Sequence, residues 1–375
     1  MRKLRFGAIQ MFGAPAPVPE RLARAEKLVA DLAGRGAEVI VLPEVFNTGY
    51  EYAEANYGRA ERLDGPSVTW MRQAAARHGV YLAGTLMLLD LEDIYNAMLL
   101  VAPDGHIWRY NKCYPWVWER AYFRGDEAIT VADTPLGRFG MLVCWDVAHA
   151  DLWARYAGRV DAMLVSSSPP AMGDVTYVFP DGERVEGVPF LAMLPGLKAA
   201  AEALLCRELL RQAAWLGVPA VNTTATGLFA SALPLPRLSL ATCLSARPDL
   251  WRQIEHAEKV RLEARYYNYT YVADAAGRVL AQAAPETESG VVAEAALAEQ
   301  PPQPAGPPPA SEMPALAFAG EILASVPLAE AYRAGVRRAL GTRMAPVRRS
   351  TRLWLGALGA AGLAGYLLGR ARRRR

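Results

Sequence analysis

Cys144, Glu44 and Lys112 could between them supply a nucleophile, a base and a cation. Cys144 stands in Gly140-Met-Leu-Val-Cys144-Trp-Asp, where an apolar run gives way to a helical stretch. A thiol at such a strand-to-helix elbow is exposed at the sheet end, and backbone N–H groups around it can lower its pKa and bind an oxyanion. Packing in a core is the other common use of cysteine. Glu44 follows Val39-Ile-Val-Leu-Pro, which fixes a carboxylate at the C-terminal end of a strand, where α/β active sites lie. Partial burial there raises a carboxyl pKa and suits it to taking a thiol proton near neutral pH. A strand-end glutamate facing water is the alternative. Lys112, in Arg109-Tyr-Asn-Lys112-Cys-Tyr-Pro, follows a hairpin arm. Beside a carboxylate and a thiol its ammonium would stabilise a tetrahedral oxyanion; taken alone it reads as a solvated lysine. Glu119, in Trp116-Val-Trp118-Glu119-Arg, is a second carboxylate, in aromatic surroundings.

The elements that must hold these residues follow from periodicity and punctuation. Leu4–Gln10 alternates as a strand, and Pro19–Gly34 carries Leu22, Leu28, Val29 and Leu32 at helical spacing before a glycine stop. Glu38–Leu42 is a short buried strand. Gly65–His78 reads as a helix and Val80–Met87 as extended. Ile94–Val101 and His106–Tyr110 flank the turn Pro103-Asp104-Gly105. Phe139–Cys144 is a strand, Val147–Tyr156 a helix, Ala162–Ser166 extended, and Ala199–Trp215 a helix leading into Val218–Asn222. Tyr269–Asp274, Arg278–Ala283 and Gly290–Leu297 close the body as strands. Helices alternating with buried strands indicate an α/β layered domain. Ala171–Pro195 and Phe229–Arg265 break the rhythm and read as irregular lids or pocket walls. Gln300–Pro309 reads as a stiff Pro-rich linker.

Glutamate after a strand, then lysine, then cysteine after a strand resembles the nitrilase, or carbon–nitrogen hydrolase, superfamily. The resemblance rests on Leu42-Pro43-Glu44, on Tyr110-Asn111-Lys112 with Glu119-Arg-Ala-Tyr-Phe-Arg-Gly-Asp126, and on Val143-Cys144-Trp145-Asp146. Gly217-Val-Pro-Ala-Val-Asn222 and Tyr271-Val-Ala-Asp274 match its closing strands, so it covers roughly residues 3–298. It implies a four-layer α-β-β-α sandwich, a Glu44–Lys112–Cys144 triad with Glu119 as second glutamate, no cofactor or metal, and assembly into homodimers or larger homo-oligomers. Cys-Trp-Asp is similar to the amidase and carbamoyl-hydrolase branches, whereas nitrilases commonly have Cys-Trp-Glu. Val147-Ala-His149 departs from the aromatic–Pro pair of many members; His149 could touch the pocket or lie on a helix surface. Tyr50, Trp116, Trp145 and Ser168 are the candidate substrate contacts, the last within Ser166-Ser-Ser-Pro-Pro170. The expected partner is a small amide or carbamoyl compound. A nitrilase, a thioester-dependent N-acyltransferase and a silent membrane-tethered scaffold are the alternatives.

Charge divides the chain in two. Residues 331–375 hold twelve arginines and no acidic residue. Removing those twelve from the 41 basic residues leaves 29 against 38 acidic ones, a net of −9 for residues 1–330. An acidic body is a poor nucleic-acid binder. Cys113, Cys144, Cys206 and Cys243 are widely spaced, with no metal-finger pattern, which suits a reducing cytoplasmic compartment. Met1–Gln10 reads as a first strand, not a secretory signal. The expected organisation is a hydrolase domain over 1–298, a linker over 299–314, a helical basic segment over 315–352, an apolar helix over 353–369 and an Arg-rich terminus over 370–375. The uncharged stretch Leu353–Gly369 is 17 residues long, at the lower limit of about 17 for spanning a bilayer. Flanking arginines suit anionic headgroups. The tail is therefore expected to attach the chain to a membrane.

Overall fold

The structure is a computed structural model that describes residues 2–187, 196–244 and 247–341. In chain order its first strands are β1 (Arg2–Phe12), β2 (Val39–Val41), β3 (Tyr81–Asp90), β4 (Asp93–Val101), β5 (Ile107–Asn111), β6 (Val131–Thr134), β7 (Gly137–Val143) and β8 (Ala162–Ser166). Then come β9 (Thr176–Val178), β10 (Arg184–Glu186), β11 (Ala220–Thr223), β12 (Ala225–Thr226), β13 (Leu228–Ala232), β14 (Arg261–Arg265), β15 (Tyr271–Ala273), β16 (Val279–Gln282) and β17 (Ser289–Leu297). One sheet runs β12-β1-β2-β3-β4-β5, with β17 also paired to β1; a second runs β16-β15-β11-β8-β7-β6. Within the first, β2 lies parallel between β1 and β3, and it is buried throughout because both faces are covered.

The two sheets pack face to face. Leu4, Phe6 and Ala8 of β1 and Met98 and Leu100 of β4 meet Phe139, Met141 and Val143 of β7 in one core. The rings of Phe6 and Phe139 pack edge to face, 6.3 Å apart. Alternation along β1 sends Ile9 and Met11 to the opposite face, where α1 (Val18–Gly34) and α3 (Pro66–His78) cover it. The second sheet is covered by α4 (Ala150–Tyr156) and by α5 (Leu197–Ala203), which continues through a wider turn, Leu204–Glu208, into α6 (Leu209–Leu216). The result is the expected four-layer α-β-β-α sandwich. Glycines end two of the helices: Gly79 and Gly217 take left-handed φ values of 64° and 71° and donate back to Ala75 and Ala213.

Four regions differ from the sequence reading. Val147–Tyr156 is not one helix. Residues Cys144–Ala148 form a 3₁₀ turn, held because the Asp146 carboxylate accepts the Val143 and Tyr114 N–H groups, and α4 begins only at Ala150. His149, at that break, is not a helix-surface histidine: its ring stacks on Tyr114 with centroids 3.6 Å apart. The segments read as irregular contain a third, antiparallel sheet, β10-β9-β14-β13. Its strands are only three to five residues long, too short for alternation to register. Residues 188–195 of the first segment lie outside the described residues. Part of the Pro-rich stretch lies along α6, where Pro309 accepts the Gln212 amide at 2.8 Å.

Beyond it, α8 (Ala315–Leu340) is a 26-residue helix that returns to the body. It packs on α2 (Asn56–Arg59) and on the turn Val117–Ala121. Gly335 permits this: a Cβ there would lie 2.0 Å from the Tyr57 ring. Tyr332 locks the seat by accepting the Ile94 N–H at 2.8 Å and donating to Asp93 at 3.0 Å. Together α8, the third sheet and Tyr50, Tyr52, Tyr57 and Tyr122 form a separate aromatic-rich core. The apolar stretch 353–369 and the Arg-rich terminus lie outside the described residues.

Candidate active site

Glu44, Lys112 and Cys144 each sit just past the end of a strand. Glu44 follows β2 after Leu42 and Pro43, and the next residue, Val45, has φ 52°. That is a genuine outlier for a β-branched side chain; the Val45 N–H is held by Thr85 Oγ1 at 2.7 Å. Lys112 follows β5, its N–H donating to Asn96 O on β4 at 2.9 Å. Cys144 follows β7 and has φ 49°. Strained backbone at two of three such positions is the pattern of a site held by its surroundings. Glu119 lies in the turn Val117–Ala121, and its Oε2 accepts the Trp116 N–H at 2.7 Å.

These ends converge. Lys112 Nζ lies 2.9 Å from Glu44 Oε1 and 2.6 Å from Glu119 Oε2, and all three side chains are buried. Asn96 Nδ2 donates to the same Glu44 oxygen at 2.7 Å. Glu44 Oε2 is also buried and has no hydrogen-bond partner among the described residues. The half-buried Cys144 thiol lies within the fields of Glu44, Lys112 and Glu119, and the Ser168 backbone N–H points to it.

Burial and charge set the protonation states. Burial, followed by the neighbouring Glu119 charge, outweighs Lys112 and raises Glu44 to about 6. Burial and the Glu44 carboxylate push the Cys144 thiol well above its ordinary value, against the opposing pull of Lys112. Burial alone would lower Lys112, but Glu119 and Glu44 together hold it well above the ordinary lysine value. The resting site therefore holds a thiol, a fixed ammonium and a carboxylate that titrates near neutrality. It can take a proton from sulfur and place a positive charge beside a developing oxyanion.

The other sequence candidates also fall here, mostly in supporting bonds. Tyr50 donates its hydroxyl to Glu119 Oε1. Ser168 donates its hydroxyl to Glu44 O at 3.0 Å. Trp116 packs edge-on against Trp118, 5.7 Å away. Trp145 is buried, and its indole N–H donates to Glu321 of α8 at 3.0 Å. Three participants carried no sequence reading of their own: Asn96, which holds Glu44; Tyr110, which donates to Asp146 at 2.7 Å; and Glu321. Asp146 and Tyr110 lie inside quoted motifs and could have been singled out there. No local signal points to Asn96 or Glu321.

Residues 6–177 match the carbon-nitrogen hydrolase family profile. The chain is 32% identical over 127 residues to a nitrilase of Pyrococcus abyssi, an alignment covering 33% of this chain and 48% of that protein. It is 29% identical over 182 residues to an omega-amidase of Xenopus laevis, covering 44% and 63% respectively. The chain thus spans about half to two-thirds of the length of these curated relatives. Among solved structures, a CN-hydrolase superfamily protein of Xanthomonas campestris, with an arsenic adduct in its active site, shares the fold. Its TM-score is 0.56 at 18% identity, with 93% of this chain and all of that chain covered.

Proposed function

We propose that this chain, which carries a carbon–nitrogen hydrolase domain, hydrolyses a small amide or carbamoyl compound through a thioester on Cys144. The observation that carries the reading is the buried Lys112 ammonium clamped by two carboxylates, in whose fields lies a thiol on strained backbone. In the first half-reaction the Cys144 sulfur attacks the carbonyl carbon and its proton passes to Glu44 Oε2. The carbonyl oxygen becomes an oxyanion facing Lys112. Collapse breaks the C–N bond, Glu44 returns the proton to the departing nitrogen, and ammonia or an amine leaves a thioester behind. In the second half, Glu44 takes a proton from water as the water oxygen attacks the thioester. The acid departs and the proton returns to sulfur. Glu119 fixes Lys112 and Tyr50 throughout. Substrate contacts are assigned to Tyr50, Trp116, Trp145 and Ser168, each bonded to, or next in the chain to, a catalytic group.

Incubation with amides and carbamoyl compounds, quenching at low pH and peptide mass analysis test the reading. The acyl adduct is expected on Cys144 and absent in Cys144→Ala. An adduct confined to Cys113, whose thiol burial raises to about 12, would sink the mechanism.

The reading includes membrane attachment through the apolar stretch 353–369 and the arginines that flank it. The uncharged stretch 353–369 between arginines supports it. Weak apolar insertion and basic residues together can anchor where either alone would not. Full-length protein should sediment with anionic vesicles at low salt and a chain ending at residue 341 should not; equal partition of the two rejects the attachment.

A further inference from the structure

The catalytic groups lie on the two sheets and their loops, yet one buried carboxylate comes from far along the chain. Glu321 of α8 is 4% exposed. Its Oε1 accepts two bonds, from the Trp145 indole N–H at 3.0 Å and from Arg120 Nη2 at 2.7 Å. Trp145 is the residue after Cys144, and Arg120 is the residue after Glu119. One oxygen therefore ties the backbone carrying the thiol to the backbone carrying the second glutamate. One helical turn earlier, Phe318 packs against the Trp145 and His149 rings, with centroids 6.0 and 5.3 Å away. The seat is otherwise closely specified, by Tyr332 on Asp93 and Ile94 and by Gly335 under Tyr57. A buried acceptor shared by a guanidinium and an indole is costly to leave unpaired. Its removal would leave both donors without that partner and release the residues next to Cys144 and Glu119.

On the amidohydrolase reading above, we infer that Glu321 is a positioning residue: it acts through Trp145 and Arg120 to hold Cys144 and Glu119 in register across the Lys112 ammonium. The C-terminal helix is then part of the working site, although residues 6–177, which match the family profile, end well before it. A misplacement of about 1 Å at a reacting group can cost on the order of 100-fold in rate, so the effect should fall on turnover rather than on substrate binding.

The test uses the full-length chain and two readouts: steady-state kinetics on an accepted amide, and the rate of Cys144 alkylation by iodoacetamide, followed by peptide mass. Glu321→Ala should lower kcat by about tenfold to 100-fold, leave KM nearly unchanged, and alter the rate and pH profile of Cys144 alkylation. Glu321→Gln, which keeps an acceptor oxygen for the indole, should recover much of the loss. Trp145→Phe combined with Glu321→Ala should lose little more than the worse single variant, because both break one connection. If Glu321→Ala does not fold, Trp145→Phe carries the test, since it lacks the indole N–H while keeping an aromatic ring; its kcat should fall as well. Wild-type kcat and alkylation in a folded Glu321→Ala, or a wild-type kcat in Trp145→Phe, overturns the assignment. A wild-type protein with neither turnover nor alkylation at Cys144 overturns the amidohydrolase reading instead.

Discussion

Glu44 and Asp146, two of the buried carboxylates near Cys144, share a raised pKa and differ in their partners. Glu44 and Asp146 are both buried, and burial raises both to about 6. Asp146 is saturated: Tyr110 Oη donates to it at 2.7 Å, the Tyr114 N–H at 2.8 Å and the Val143 N–H at 3.2 Å. Those bonds build the 3₁₀ turn on which Cys144 sits. Glu44 is held through one oxygen, which takes Lys112 and Asn96; the other has no protein donor among the described residues. A raised pKa therefore does not distinguish a base from a brace. The partner sets do differ: both oxygens of Asp146 hold the turn under Cys144, whereas on the proposed mechanism Glu44 Oε2 is the oxygen that takes the thiol proton.

Substitution of the two by their amides should separate these roles. Glu44→Gln keeps the shape and the contact with Asn96 but removes the base, so kcat/KM should fall by about 10² to 10⁴ with little change in thermal stability. Asp146→Asn turns an acceptor into a donor facing the Tyr110 hydroxyl or a backbone N–H. Its main cost should be stability, about 1–3 kcal/mol in denaturant unfolding, with a much smaller loss of turnover. If Asp146→Asn lost turnover as deeply as Glu44→Gln while remaining stable, the distinction would collapse.

The acid limb of activity sharpens the same comparison. Glu44 must be ionised to accept the thiol proton. Its pKa is raised, so the base form dominates above about 6 and is lost below it. Below that value kcat/KM should fall about tenfold per pH unit. Lys112 is held well above 10.5 and stays charged across this range, so it adds no limb there. The limb should persist in Asp146→Asn; its disappearance in that variant would assign it to the brace.

The fold agrees with the layered α/β reading of the sequence, and the family profile matches residues 6–177 of it. Leu42-Pro43-Glu44 and Val143-Cys144-Trp145-Asp146 are legible because a buried strand writes itself as a short run of apolar residues, and the residue after it is fixed at the sheet end. The lengths of α1 and α3 are legible because a glycine stands at or just past the last helical residue. What failed to register was built from short or interrupted pieces. The strands β9, β10, β13 and β14 are too brief to show alternation. The helix expected over Val147–Tyr156 was cut by Asp146, whose side chain captures N–H groups that a local reading assigns to the helix.

Tertiary structure alone decided which distant side chains share the site. Asn96 reaches Glu44 across 52 positions, and Glu321 reaches Trp145 across 176. Residue types and spacing near Cys144, Glu44 and Lys112 suggested the proposed chemistry, since a thiol, a carboxylate and an ammonium at strand ends are recognisable in short stretches of chain. That Lys112 and Asn96 share one oxygen of Glu44, and that a helix from residues 315–340 closes against Trp145, depend on how the layers pack. Periodicity records which face of an element is buried but not the partner it is buried against, and that partner is chosen only when the whole core closes.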